Sequence, residues 1–226
     1  MNHENTPPPT HRNPGPPPAS TAPDRRRPTS AKFVVAGGFG VGKTTLVGAV
    51  SEIPPLRTEE TLTSAASGID DVSKIDSKVS TTVAMDFGRI TVSPELVLYL
   101  FGTPGQTRFS FMWDRISDGA LGAVVLVDTR RFEESFGPVD YFESRGIPFV
   151  VAVNDFPGSP VTTPNDIREG LSLAASVPVM HVVAHNKEEV KVVLVSLIDL
   201  LMQRMATRSR AAAPRRSQLG RVPVAP

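Results

Sequence analysis

The residues best suited to chemistry lie in one glycine-rich segment. It reads Gly37-Gly38-Phe39-Gly40-Val41-Gly42-Lys43-Thr44-Thr45 and has the spacing G-x-x-x-x-G-K-T. Glycines at this spacing let consecutive backbone N–H groups turn inward around a chain of phosphates, while the lysine can bridge the outer phosphates and the Thr44 hydroxyl can bind magnesium. An apolar run, Phe33 to Ala36, precedes the segment and a helix-like stretch follows it. The sequence therefore predicts a loop that binds the phosphates of a nucleotide, and an ordinary glycine-rich turn is the weaker interpretation.

The composition is that of one folded domain of ordinary size. The chain has 226 residues, a formal net charge of +1 and no cysteine. So small a net charge gives no general attraction to nucleic acid or to an anionic membrane. The lack of cysteine excludes disulfides and thiolate metal sites, and it agrees with a reducing cytoplasm. The longest apolar stretches, such as Leu121 to Val127, are too short to span a membrane, so we expect a cytoplasmic protein that reaches membranes only through partners.

Both ends of the chain differ in composition from its middle. Residues 1–30 are rich in Pro, Thr, Asn and Arg, and such a segment buries too little apolar surface to offset the entropy of ordering. Residues 206–226 carry five arginines and no acidic residue, mixed with Ala and Pro. We predict a disordered Pro-rich arm over residues 1–30, a folded domain over residues 31–205 and a disordered basic tail over residues 206–226. The tail is either a solvated segment or a weak electrostatic contact for acidic lipid or a partner.

Apolar runs alternate with helical patterns between these ends, as a wound α/β sheet requires. The predicted strands are Lys32–Ala36, Thr82–Val92, Glu95–Phe101, Leu121–Val127, Pro148–Val153 and Val177–Val183. The predicted helices are Lys43–Ile53, Arg131–Arg145 with a disturbance at Gly137-Pro138, Asn165–Ala174, and a last helix that begins at Asn186 with Glu189 as a capping pair. Only Ser93 and Pro94 join the second and third strands, so these two strands must pair antiparallel. The predicted fold class is α/β: a P-loop fold with a six-stranded, mostly parallel sheet, one antiparallel strand, and helices on both faces.

Three further strings follow the loop in an order that resembles the Ras-like small GTPases. They are Thr81 to Ile90 (TTVAMDFGRI), Leu98 to Gln106 (LYLFGTPGQ) and Gly122 to Arg131 (GAVVLVDTRR). More narrowly, the strings are similar to the conservon CvnD-type GTP-binding proteins of actinobacteria, which are relatives of the bacterial polarity GTPase MglA. The resemblance covers Lys32 to Arg204. It implies a Ras-like fold, binding of GTP and GDP with Mg²⁺, and slow GTP hydrolysis by a signalling switch in a multi-protein complex.

The resemblance implies a role for each motif. The loop of residues 37–45 would hold the phosphates, Thr44 and Thr82 would bind magnesium, and Gly105 would donate its N–H to the γ-phosphate. Gln106 would orient the attacking water, in a reaction that depends mostly on positioning and charge stabilisation. The pair Thr81-Thr82 could also reflect only the β-propensity of a strand start.

The chain departs from the Ras-like pattern at a carboxylate that normally holds a magnesium-bound water. Gly102 stands at its place, and MglA-like proteins instead carry an acid on strand two. Asp86 is the candidate here, because it follows Thr82 by an even number of residues and so faces the same side of the strand, roughly 13 Å away at about 3.3 Å per residue. A surface acid beside a turn is the alternative interpretation.

A second departure concerns the base. The expected guanine-reading tetrad is Asn, Lys, any residue and Asp, whereas this chain has Asn154-Asp155-Phe156-Pro157 and keeps only the asparagine. The missing carboxylate would accept two hydrogen bonds from guanine. In the later loop Val183-Ala184-His185, the N–H of Ala184 could still approach the base oxygen. We therefore predict a purine nucleotide site in which guanine is favoured but weakly selected.

Two other functions stay open at the level of sequence. Asp128 ends an apolar strand and could be the magnesium-binding carboxylate of a P-loop ATPase or nucleotide kinase. A non-hydrolysing switch or scaffold is the second, because no arginine ahead of Thr82 suits the part of an internal finger, although Arg108 follows Gln106 closely. The polar segment Pro54 to Ser80 is predicted to be mobile until a γ-phosphate orders it.

The resemblance also implies partners. They are a roadblock-type regulator, a sensor-kinase-like membrane protein and a small third protein encoded with them. No nucleic acid is expected among the ligands.

Overall fold

The computed structural model describes residues 28–54, 56–62 and 81–212, without the side chains of residues 56–62, 81–84, 107–108 and 211–212. The strands are β1 (Thr29–Ala36), β2 (Leu56–Leu62), β3 (Thr81–Ser93), β4 (Leu96–Gly102), β5 (Gly122–Val127), β6 (Phe149–Asn154) and β7 (Val179–Val182). The helices are α1 (Lys43–Val50), α2 (Trp113–Ser117), α3 (Phe136–Ser144), α4 (Pro164–Gly170) and α5 (Lys187–Ala212). Two 3-10 segments, Thr107–Met112 and Thr129–Ser135, precede α2 and α3.

The predicted fold class is confirmed. One sheet holds the strands in the order β2-β3-β4-β1-β5-β6-β7, and every neighbouring pair is parallel except the two that β3 makes. β2 is a seventh strand that the sequence did not predict, and it lies inside the proposed switch segment Pro54 to Ser80. An edge strand needs only one neighbour, so the polar sequence LRTEETL suffices to form it. The predicted mobility of residues 63–80 concerns a segment outside the described residues.

The hairpin of β3 and β4 sets two positions of later importance side by side. Its strands are antiparallel, as predicted, and their register pairs Phe87 with Phe101. Residues opposite each other in an antiparallel pair point to the same face. One step further along both strands come Asp86 and Gly102, at the edge of the sheet where β4 ends.

Side chains of the central strands alternate between two cores. On β1, Phe33 and Val35 pack with α1 and α5, whereas Val34 and Ala36 pack on the opposite face with α2, α3 and α4. Helices therefore cover both faces, as predicted. Strand segments that are buried on both faces are apolar, which is why β5, β6 and residues 33–36 of β1 are recognisable in the sequence as apolar runs.

The last helix is longer than predicted. Its start is the expected one, since Nδ2 of Asn186 donates to Oε1 of Glu189 over 2.6 Å. α5 then continues to Ala212, which corrects the predicted start of the tail at residue 206. Ala and Arg are strong helix formers, and no proline interrupts them before Pro214. Neither α5 nor any other helix in the described part of the chain is long and apolar enough to cross a membrane.

The helix predicted over Arg131–Arg145 consists of two parts. A 3-10 segment ends at Ser135 and α3 follows it. The 3-10 segment is itself interrupted at Arg131, with φ −139° and ψ 53°, whereas Gly137-Pro138, where the disturbance was predicted, lies inside α3. Pro138 lies in the first turn of α3, where a proline costs no helical hydrogen bond. This break directs Arg131 away from the helical path.

Candidate nucleotide-binding site

Residues 37–44 join the end of β1 to the start of α1, as predicted. Gly42 precedes the helix with φ 106°, a left-handed conformation that glycine adopts without strain. Gly37 and Gly40 also have positive φ, at 142° and 72°. Val41 is buried, whereas Phe39 and Thr45 are exposed. The glycines thus form a compact turn at the carboxyl edge of the sheet, and we call residues 37–44 the P-loop from here on.

The ammonium group of Lys43 is turned into the P-loop. Its Nζ donates to the carbonyl oxygens of Gly37, over 2.9 Å, and Gly38, over 2.6 Å, and the side chain is buried. Burial lowers the pKa of Lys43 to about 8, although the carboxylates of Asp86 and Glu134 act to raise it. The Lys43 ammonium is thus positioned inside the P-loop, where it could exchange hydrogen bonds to neutral carbonyls for stronger ones to anionic phosphate oxygens.

The residues predicted to bind magnesium come from two strands and a helix. The Thr44 hydroxyl donates to Oδ2 of Asp86 over 2.7 Å, so the predicted ligands Thr44 and Asp86 are in contact. A β-carbon added at Gly102 would lie 2.9 Å from Cβ of Asp86 and 3.0 Å from its Oδ2. The carboxylate of Asp86 therefore fills the space that a side chain at position 102 would need. Thr82 lies on β3 opposite Thr61, and its side chain is outside the described part of the chain, so its contact with magnesium stays a prediction.

The turn after β4 faces the P-loop. The indole N–H of Trp113 donates to the carbonyl of Pro104 over 3.3 Å and so holds this turn. A β-carbon added at Gly105 would lie only 2.6 Å from Nζ of Lys43. Gln106 lines a groove of about 1090 Å³ that begins at the P-loop and continues between α2 and α3. Both residues are thus beside the phosphate loop, while their predicted contacts with γ-phosphate and water stay predictions.

Asn154 connects the P-loop to the loop after β7. Its Nδ2 donates to the carbonyl of Val41 over 2.9 Å, and its Oδ1 accepts the N–H of Ala184 over 3.0 Å. All three residues are buried. The Ala184 N–H, predicted to approach the base, is therefore engaged by Asn154 in this structure. The asparagine that survives from the tetrad has a clear structural task.

Of the other three residues of the tetrad, Asp155 and Phe156 interact with side chains of the protein itself. Oδ1 of Asp155 accepts a hydrogen bond from Nδ1 of His181 over 2.8 Å, and Phe156 lies under the guanidinium of Arg130 at 3.9 Å from the ring centroid. Pro157 is exposed and offers no side-chain acceptor. The phosphate end of the site thus follows the predicted pattern more closely than the base end.

Sequence reasoning missed a charged cluster that lies against the P-loop. Asp128, buried at the end of β5, accepts hydrogen bonds from Nε and Nη2 of Arg130 over 2.9 and 2.8 Å, and this pairing lowers its pKa. Arg131, the next residue, donates to the carbonyl of Phe39 and to Oε1 of Glu134. The string DTRR was visible in the sequence, but nothing in it indicates a contact with Phe39.

These features define the class of protein. A P-loop between the central strand and α1, with a threonine–carboxylate pair beside it and a β3–β4 hairpin, is a nucleotide-binding site in a GTPase-like α/β fold. The chain belongs to the family described as conserved hypothetical ATP binding protein, whose model matches residues 35–204.

One relative is similar in sequence. An uncharacterized protein of Methanocaldococcus jannaschii, MJ1339, is 34% identical over 125 residues, which is 54% of this chain and 68% of that protein.

Solved structures agree with the fold. The G-domain of FeoB from Methanococcus jannaschii superposes with a TM-score of 0.51 at 12% identity, covering 76% of this chain and 98% of that one. The G domain of the T. maritima FeoB iron transporter gives 0.55 at 15% identity, with 76% and 99% covered. At such identities the likeness shows the fold alone.

Asn154→Ala should destabilise the fold without any nucleotide present. The change leaves the buried carbonyl of Val41 and the buried N–H of Ala184 without their partner, so we expect the free energy of unfolding to fall by ~2 kcal/mol. Chemical denaturation measures this. Asn165→Ala is the control: its side chain is exposed and accepts a hydrogen bond from Arg168 at the protein surface, so a change below ~0.5 kcal/mol is expected. Equal effects of the two substitutions would contradict the bridging role.

Proposed function

We propose that this chain binds GTP with Mg²⁺, hydrolyses it slowly to GDP, and acts as a signalling switch. The observation that carries the proposal is the contact between Thr44 and Asp86, because it supplies a hydroxyl and a carboxylate beside the P-loop although Gly102 has no side chain. Oxygen donors of this kind suit Mg²⁺, which keeps few protein ligands. A bound Mg²⁺ would neutralise charge on the phosphates.

Support for Asp86 as the replacement carboxylate comes from two strands. Its carboxylate lies in the space next to Gly102, so a carboxylate from β3 takes the place of one from β4. Thr44 keeps its position in the first turn of α1. Both proposed magnesium ligands therefore lie on regular secondary structure, Asp86 on a strand and Thr44 on a helix, and such elements position side chains more precisely than loops do.

Asp86→Asn should remove most of the magnesium dependence of nucleotide binding. The amide keeps the shape of the side chain but loses the charge, so the affinity measured with Mg²⁺ should fall by about tenfold or more and approach the affinity in EDTA. Titration of a fluorescent GTP analogue, with and without Mg²⁺, gives both values. Asp199→Asn, on α5, is the control and should change neither.

An exchange of the two positions sharpens this test. Asp86→Gly combined with Gly102→Asp moves the carboxylate to the facing strand, and the two β-carbon positions are only 2.9 Å apart. We expect the double variant to recover magnesium-dependent affinity that Asp86→Gly alone loses. If Asp86→Asn and Asp86→Gly both keep the full magnesium effect, Asp86 is not a ligand.

Hydrolysis is assigned to the groove side of the P-loop. Gln106 lies there with Gly105, and a reaction that depends on positioning needs a polar group at that point. Asp128, the alternative carboxylate, is tied to Arg130, which disfavours the ATPase or kinase arrangement in which Asp128 serves magnesium.

Gln106→Leu should slow γ-phosphate release by about 100-fold, since the attacking water loses its orienting group. The dissociation constant for GTP should change by less than about twofold, because the side chain serves the reaction and not the bound ground state. Single-turnover assays measure release, and Gln203→Leu on α5 is the matched control. Equal loss of binding and release would assign Gln106 to binding.

The selectivity of the site for guanine or adenine determines whether the chain binds GTP or the ATP that the family description names. Pro157 provides no acceptor for guanine, and the Ala184 N–H is engaged by Asn154, so we expect weak preference for GTP. Pro157→Asp should raise the ratio of GTP to ATP affinity by about tenfold. Competition of both nucleotides for the site measures this ratio. Higher affinity of the wild-type chain for ATP would make it an ATP-binding protein.

The partners proposed are those of the conservon CvnD-type proteins: a roadblock-type regulator, a sensor-kinase-like membrane protein and a small co-encoded protein. The sequence strings around Thr82, Gln106 and Asp128 support this assignment. Single-turnover release with and without the roadblock-type protein separates a switch from a scaffold. Release in neither case would favour a non-hydrolysing scaffold.

A further inference from the structure

Arg131 reaches the P-loop from the end of β5. Asp128 accepts the backbone N–H of Arg130 over 3.0 Å, which fixes the turn that follows the strand. At Arg131 the backbone leaves the helical conformation, so its side chain departs from the path of the 3-10 segment. The side chains of Arg130 and Arg131 therefore make different contacts. Arg130 pairs with Asp128 and stacks on Phe156, whereas Arg131 contacts the P-loop.

The guanidinium of Arg131 contacts the middle of the P-loop. Its Nη2 donates to the carbonyl oxygen of Phe39. A β-carbon added at Gly40 would lie 3.2 Å from the same nitrogen, so the guanidinium covers this peptide closely. Nη1 donates to Oε1 of Glu134 over 3.2 Å, and Asp128 lies 3.7 Å from Nη2. Two carboxylates thus hold the arginine in place while it holds the loop.

The contact at the Phe39 carbonyl orients the next N–H group. A trans peptide is planar, and its C=O and N–H point in opposite directions. Because Arg131 holds the carbonyl of Phe39, the N–H of Gly40 in the same peptide points away from Arg131. Asn154 does the same two residues later, since it holds the carbonyl of Val41 and so directs the N–H of Gly42 away from itself. Donors on the two carbonyls therefore fix the directions of two N–H groups of a phosphate loop.

We propose that Arg131 is a positioning residue that holds the Phe39–Gly40 peptide in the orientation needed to bind the phosphates of a nucleoside triphosphate. The inference rests on the proposed function as far as the triphosphate is concerned. We call the contact between the Arg131 guanidinium and the Phe39 carbonyl the brace. The brace lies within the protein, so its effect on the Phe39–Gly40 peptide can be measured without nucleotide.

A second effect of Arg131 is electrostatic and has to be separated from the first. The carboxylate of Glu134 lies against Gly38, where an added β-carbon would meet Oε2 at 2.1 Å. Without Arg131 this negative charge would stand unneutralised beside the phosphates and weaken their binding. Glu134→Gln removes the charge and keeps the shape, so combining it with a change at Arg131 isolates the brace.

The test uses the full chain and the variants Arg131→Met and Arg131→Lys. Arg131→Met keeps the length of the side chain but has no donor, whereas Arg131→Lys keeps a donor for the Phe39 carbonyl. Arg145→Met is the control: Arg145 pairs with Asp114 on the neighbouring helix, and its side chain is 42% exposed against 37% for Arg131.

The first measurement is the NMR order parameter of the Gly40 amide in protein freed of nucleotide with EDTA. We expect it to fall in Arg131→Met towards the range of flexible backbone, to be largely kept in Arg131→Lys, and to be unchanged in Arg145→Met. A general structural defect would lower order parameters across the sheet as well. An unchanged Gly40 amide in Arg131→Met would overturn the brace.

The second measurement is the dissociation rate of a fluorescent GTP analogue. The analogue should dissociate about tenfold faster from Arg131→Met and at close to the wild-type rate from Arg131→Lys. The double variant Arg131→Met with Glu134→Gln should keep the fast dissociation rate of Arg131→Met. If the double variant returns to the wild-type rate, Arg131 acts only by neutralising Glu134 and the positioning role is wrong. If the wild-type chain binds no nucleoside triphosphate, the proposed function is wrong. The order parameter of the Gly40 amide would still show whether Arg131 holds the Phe39–Gly40 peptide in place.

Discussion

A phosphate loop must turn its N–H groups inward, and this requires partners for the carbonyl groups that then point elsewhere. In this protein each such partner comes from a different element. The Lys43 ammonium, from α1, holds the carbonyls of Gly37 and Gly38. Asn154, at the end of β6, holds the carbonyl of Val41, and Arg131, beyond β5, holds that of Phe39. The parallel pairing of β1, β5 and β6 makes this possible, because it brings their carboxyl ends to one edge of the sheet.

The same edge also places a carboxylate beside Gly102. The register of the β3–β4 hairpin sets Asp86 beside Gly102, so an acidic side chain on either strand reaches the same space. In this structure the carboxylate that occupies the space comes from β3 and accepts a hydrogen bond from the Thr44 hydroxyl. A residue larger than glycine at position 102 would collide with Asp86.

The base end is organised by different interactions. Asp155 pairs with His181, and Phe156 stacks under Arg130, so these side chains stabilise the loop after β6. Asn154 serves the protein framework through Val41 and Ala184. These side chains at the base end are thus engaged with the protein itself, which is the basis of the weak purine selectivity proposed above.

Much of the fold was predictable, because long apolar runs and short connections leave few arrangements. β5, β6 and residues 33–36 of β1 are buried on both faces, and the two-residue link at Ser93-Pro94 required an antiparallel pair. β2 was missed, since an edge strand needs little burial and its sequence is polar. The end of α5 was set too early for a similar reason: arginine and alanine are compatible with both a solvated tail and a helix.

By itself, the sequence determined the P-loop, its lysine and threonine, and the order of the elements, because these depend on local spacing and on apolar periodicity. Asp86 was an inference from alternation along one strand, and only the register of two strands decided that it fills the space at Gly102. The contact of Arg131 with Phe39 joins residues 92 positions apart. No local pattern encodes such a contact, since the packing of β5 beside β1 creates it.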